Sequence, residues 1–222
     1  KPRNVSNNYT EKIIEKMKKQ IIILVSFFSL QMFSQESEIQ MISKYDYPTD
    51  NRELTMERFY GIDKLDFNFT NSELLIGKDF KITIRKYKNG KVEIEKNIID
   101  TKIEGLPKIG NEFTFSLITQ NILNNEKISF FFPNFYNKQI FEINKKFSDG
   151  TLKLREVTGG DEIIDFKIGE ENQIALITPP NDNPKKGKLG YCEVTKGEIN
   201  VKEWYEKYKI SEFFLIYLTI EK

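Results

Sequence analysis

The sequence predicts an all-β fold: antiparallel sheets packed as a β-sandwich, with one short C-terminal helix at about residues 200–209 before a buried last strand. Three observations predict it. Ala175 is the only alanine, while Ile, Phe, Val and Thr are plentiful, a mixture that suits strands better than helices. Short runs alternate apolar and polar residues from Ile39 onward. Turn clusters separate these runs: Asn124-Asn125, Asp149-Gly150, Gly159-Gly160 and Gly169-Glu170-Glu171-Asn172. Many short strands with regular turns read as a sandwich or barrel.

The chain before the fold has its own logic. Met17-Lys18-Lys19 is positively charged, Ile21 to Leu30 is apolar apart from Ser26 and Ser29, and Gln31 to Gln35 is a polar exit. Charge, short apolar run and cleavable end are the three parts of a secretory signal peptide. We read residues 17–35 as that signal, cut after Ser34 or Gln35. The apolar run is shorter than the roughly 20 residues of a membrane-spanning helix. Gln35, Glu36 and Ser37 stand where a lipoprotein would carry cysteine, so the expected product is exported, periplasmic or secreted, without a lipid anchor. Residues 1–16 are polar and charged and read as an over-long gene start outside the fold. Residues 36–222 are expected to form a single β-rich domain.

Strands are expected at Ile39–Tyr45, Leu65–Phe69, Glu112–Thr119, Lys127–Phe132, Gln139–Ile143, Leu152–Val157, Ile163–Ile168, Gln173–Thr178 and Lys188–Thr195. The clearest hairpin joins Phe80–Arg85 to Val92–Ile98 around Asn89-Gly90. A two-residue turn would set Ile84 opposite Glu95 and mix the faces. A three-residue loop with Gly90 left-handed pairs Ile84 with Ile94, Phe80 with Ile98, Arg85 with Glu93 and Thr83 with Glu95, so that register is expected.

Near the end, Asn200 and Glu203 have capping-box spacing, and Ile199 with Trp204 has staple spacing. Val201, Trp204, Tyr205 and Tyr208 make one apolar helical face. Phe213 to Ile220 is apolar on both alternating faces, as in a strand buried on both sides. The expected arrangement puts the Trp204 helix over one face of it and the sheet partner over the other.

Composition excludes several chemistries. The chain holds 34 basic and 33 acidic residues and no histidine. The segment up to Ser34 takes six basic and two acidic residues with it, leaving 28 against 31, a net charge of −3. Nucleic-acid binding needs a dense basic footprint, and none is present. Without histidine, and with Cys192 as the one cysteine, zinc sites of His or multi-Cys type are out, as is an internal disulfide. No cofactor is expected.

Cys192 has no histidine partner and shares a face with Val194, so it reads as a small core residue. Asp161, Glu162 and Asp165 could serve carboxylate-dependent hydrolysis, but a solvated turn explains them. No Gly-x-Ser-x-Gly or Ser-x-x-Lys motif is present. Asn181-Asp182-Asn183 lacks the spaced ligands of a calcium loop, and Gly187-Lys188 lacks the rest of a phosphate loop. The loop from Thr178 to Gly187 is the longest. Asn181, Asp182, Asn183, Lys185 and Lys186 form a candidate contact loop for a protein or glycan partner. Phe130 to Tyr136 is the most aromatic stretch; strand alternation should bury at least half of it, and the rest could stack on sugars.

Tyr191-Cys192-x-Val194, Gly197, Trp204, Ile210 and the Phe213–Ile220 strand together resemble small exported bacterial proteins of a domain-of-unknown-function type. The resemblance covers about 35 C-terminal residues and implies no catalytic residue. The leading expectation is an exported, non-enzymatic binding or interaction module of unknown ligand. The alternatives are a glycan-binding surface domain and a carboxylate-dependent hydrolase.

Overall fold

A computed structural model describes residues 39–148, 150–158, 163–179 and 201–222, without the side chains of 201–203. The signal at 17–35, the strand expected at 188–195 and Asn200 lie outside the described residues.

Two antiparallel sheets form a sandwich. The elements are β1 (Gln40–Tyr45), α1 (Asn51–Tyr60), β2 (Ile62–Phe69), β3 (Phe80–Lys88), β4 (Lys91–Asp100), α2 (Thr101–Glu104) and β5 (Thr114–Ile122). They continue with β6 (Asn125–Phe131), β7 (Tyr136–Glu142), β8 (Lys153–Glu156), β9 (Ile163–Asp165), β10 (Asn172–Thr178), α3 (Val201–Tyr208) and β11 (Glu212–Ile220). One sheet has six strands in the order β7-β6-β5-β2-β1-β9; the other has five, β4-β3-β11-β10-β8.

Period-two alternation drives the core. Met41, Leu65, Phe67, Leu117, Ile128 and Phe130 point inward from the six-stranded sheet and meet Ile82, Ile84, Ile177, Phe214, Ile216 and Leu218 from the other. The sheet margins are joined by polar side chains. Asn137 Nδ2 donates to the Ile98 carbonyl at 2.8 Å, and Lys96 Nζ donates to Gln139 Oε1 at 2.6 Å. From β8, the other edge of the five-stranded sheet, the Leu154 amide donates to Asp63 Oδ2 of β2 at 3.3 Å.

The C-terminal arrangement matches its expectation. Strand β11 lies between β3 and β10. Phe214, Ile216, Leu218 and Ile220 enter the inter-sheet core, while Phe213 and Leu215 turn to a second cluster under α3. There Trp204 packs on Phe213 with ring centroids 5.0 Å apart, and Phe213 stacks on Tyr87 at 4.9 Å.

The β3–β4 register corrects the sequence reading. Asn89 and Gly90 both have positive φ, 50° and 77°, and Lys88 pairs with Lys91 across a two-residue turn. That is the backbone Asn-Gly favours. The faces are restored by two irregularities, with Glu93 and Ile98 as the extra residues. Ile84 faces Lys96 rather than Ile94, Arg85 faces Glu95 rather than Glu93, and Thr83 faces Asn97 rather than Glu95; Phe80 does not pair with Ile98. Val92 and Ile94 are consequently exposed, and Ile98 and Ile99 are both buried.

Helix α1 was not expected. It has no buried residue, so no apolar period announces it. Its signals are its caps: Asp50 Oδ1 accepts from the amides of Arg52 at 2.7 Å and Glu53 at 3.2 Å, and Gly61 closes it in the left-handed conformation.

Candidate functional site

A groove of about 620 Å³ lies on the outer face of the six-stranded sheet. Its polar lining comes from Lys44, Asp66, Asn68, Thr114 and Ser116, and its apolar end from Phe131 and Pro133.

Register explains how residues so far apart in sequence meet. Lys44 pairs with Asp66, Asp66 with Ser116, Ser116 with Phe131, and Phe131 with Tyr136. These five residues form one row across β1, β2, β5, β6 and β7. Partners in such a row sit on the same face of a sheet. A second row, Ile42–Asn68–Thr114, runs beside it.

The row has two halves. In the polar half Ser116 Oγ donates to Asp66 Oδ1 at 2.5 Å. The side chains of Asn68 and Thr114 have no hydrogen-bond partner among the described residues, so their donors and acceptors are open to the groove. In the aromatic half Phe131 and Tyr136 stack with centroids 5.8 Å apart and planes 25° apart. They are 38% and 63% exposed, a large apolar area to leave in water. Lys138 Nζ sits 5.0 Å from the Tyr136 ring centroid.

The aromatic stretch thus divides by alternation. Phe130 is in the core, and Phe132 and Phe135 stack on each other at 4.6 Å against it. Phe131 and Tyr136 face outward.

Two other concavities have their charges matched internally. A cleft of about 270 Å³ between α1 and β8 holds the pairs Lys64–Glu57 and Lys153–Asp63, the latter at 3.6 Å. The Glu57 hydrogen bond raises the Lys64 pKa. A notch of about 400 Å³ holds buried Lys86, whose Nζ lies 2.7 Å from Glu93 and 3.4 Å from buried Glu212. Both arrangements read as fold-stabilising ion pairs.

No family model, curated protein or solved structure matches the chain.

The contact loop Asn181, Asp182, Asn183, Lys185 and Lys186 lies outside the described residues, as do Cys192, Asp161 and Glu162. Asp165 is exposed on β9 and accepts from Gln40 Nε2 at 3.3 Å. Among the described residues no cluster of three or more His, Cys, Asp or Glu could hold a metal ion. Sequence reasoning singled out Phe131 and Tyr136 within their stretch. It did not find Lys44, Asp66, Asn68, Thr114 and Ser116, because only strand register brings them together.

Proposed function

We propose that this protein is an exported, non-enzymatic binding module that works through the outer face of its six-stranded sheet. The observation that carries this is the row from Lys44 to Tyr136, which places the polar side chains of the groove beside an exposed aromatic pair, Phe131 at the end of the groove and Tyr136 next to it. An antiparallel sheet normally shows water a polar outer face. Two stacked rings there cost solvation unless a partner covers them.

Export is supported by the charged and apolar segment from Met17 to Leu30. Among the described residues, no helix is long and apolar enough to cross a membrane. The near balance of charge and the scarcity of arginine argue against a nucleic-acid partner.

A photo-crosslinking residue tests the surface. Placed at Asn68 in the native cell, it is expected to yield mass-shifted adducts. Placed at exposed Val92 on the other sheet, it is expected to yield none. Equal labelling at both positions, or no labelling at Asn68, overturns the assignment.

A further inference from the structure

We infer that the ligand of this face is a carbohydrate chain lying across the strands, along the row from Lys44 to Tyr136. This rests on the outer face of the six-stranded sheet being the working surface, and it names what that surface takes.

Position comes first. Strands β2, β5 and β6 are each paired on both sides, so their backbone groups are already engaged. A peptide that binds by adding a strand needs a free edge, and this groove lies at the middle of the sheet. Its occupant must be recognised by side chains alone.

Chemistry comes second. A sugar ring has an apolar face of C–H groups and a rim of hydroxyls, each of which donates and accepts. Phe131 and Tyr136, 38% and 63% exposed, offer a solvent-facing aromatic surface on which the C–H face of a sugar ring can pack. Asp66 Oδ2 is an acceptor for hydroxyl protons, Asn68 and Thr114 both donate and accept, and Ser116 Oγ, whose proton is given to Asp66, accepts. A phosphate chain fits poorly, because the row carries the Asp66 carboxylate in its polar half.

Extent comes third. The row crosses five strands. At the usual strand spacing that is about 19 Å, longer than one sugar ring. The row therefore suits an oligomer. Asp66, Asn68, Thr114 and Ser116 are short side chains on paired strands, and Phe131 and Tyr136 have few rotatable bonds, so little side-chain entropy is lost on seating it.

The test uses the purified protein, a glycan array, and then titration calorimetry with cello-, chito-, manno- and α-gluco-oligosaccharides from monomer to hexamer. At least one series is expected to bind, with affinity rising with length. Tyr136→Ala, Phe131→Ala and Asp66→Ala are each expected to weaken binding about tenfold or more. Val92→Ala should leave it unchanged. Circular dichroism melts check that the variants fold, and the exposure of Tyr136 favours that. No glycan binding, with adducts at Asn68 persisting, overturns the carbohydrate and leaves the surface standing. Glycan binding that survives both Tyr136→Ala and Asp66→Ala places the sugar elsewhere and overturns the carbohydrate assignment at this face.

Discussion

At the scale of single residues, Glu126 is the least expected feature of the core. It points inward from β6 and is 1% exposed. Burial pushes its pKa up to about 8, although Asn121 Nδ2 donates to its Oε2 at 3.3 Å and favours the charged form. An unfolded glutamate titrates near 4.5. The folded state therefore holds an extra proton between about pH 4.5 and 8. The stability tied to that proton is complete below the lower value and is lost as pH rises through the upper one. The amount is on the order of 5 kcal/mol. Glu126→Gln is neutral throughout and keeps an acceptor for Asn121. Urea unfolding is expected to show the variant near wild type at pH 4.5 and more stable than wild type at pH 8. An unchanged difference across that range would contradict the burial argument. Nothing in the sequence announced Glu126. The expected strand began at Lys127, which left Glu126 to the turn, and a glutamate beside two asparagines reads as solvated. Phe130 to Tyr136 was more legible, because alternation alone predicts that such a run divides between core and surface.

At the scale of elements, what could be read depended on whether the signal was local. The alternating strands and the Trp204 helix carry their pattern in consecutive residues, and they stand close to where they were expected. Helix α1 buries nothing, so only Asp50 and Gly61 marked its ends. The β3–β4 hairpin shows a conflict between two local signals. Asn89-Gly90 demands a tight turn, while Ile84 and Ile94 demand a shared face. The turn wins because positive φ is cheap for Asn and Gly, and one extra residue suffices to reset the alternation. Gly90 is constrained twice: φ is 77°, and a Cβ there would lie 3.2 Å from Tyr205 Cβ of α3. Gly90→Ala is expected to cost about 1–3 kcal/mol, read as a lower denaturation midpoint with an unchanged slope. Gly90→Asn should lose less, since Asn tolerates the left-handed conformation. If both variants match wild type, neither the turn nor the α3 contact constrains this position.

At the scale of the whole molecule, the order of strands ties the fold to the proposed export. The last strand, β11, sits at the centre of the five-stranded sheet, between β3 and β10. Its partners lie far back in the sequence: Ile220 pairs with Phe80, and Ile177 with Phe214. Phe213 and Leu215 also supply the floor under Trp204. Neither this sheet nor the inter-sheet core can close before β11 is available. Long-range pairing of this kind makes folding slow, because loop closure precedes the contacts that reward it. A chain that must cross a membrane unfolded gains from that delay. Cys192, as the one cysteine, can form no internal disulfide, so the core must hold the fold by packing. A chain ending at Ile210 loses all of β11. It is expected to show no cooperative unfolding transition and to be digested by protease at rates typical of an unfolded chain. The full chain is expected to unfold in one transition, because residues from both sheets share one cluster. A truncated chain that retained a cooperative transition would mean that the six-stranded sheet folds alone. The outer groove would then be complete without β11, and the delay would not extend to the six-stranded sheet.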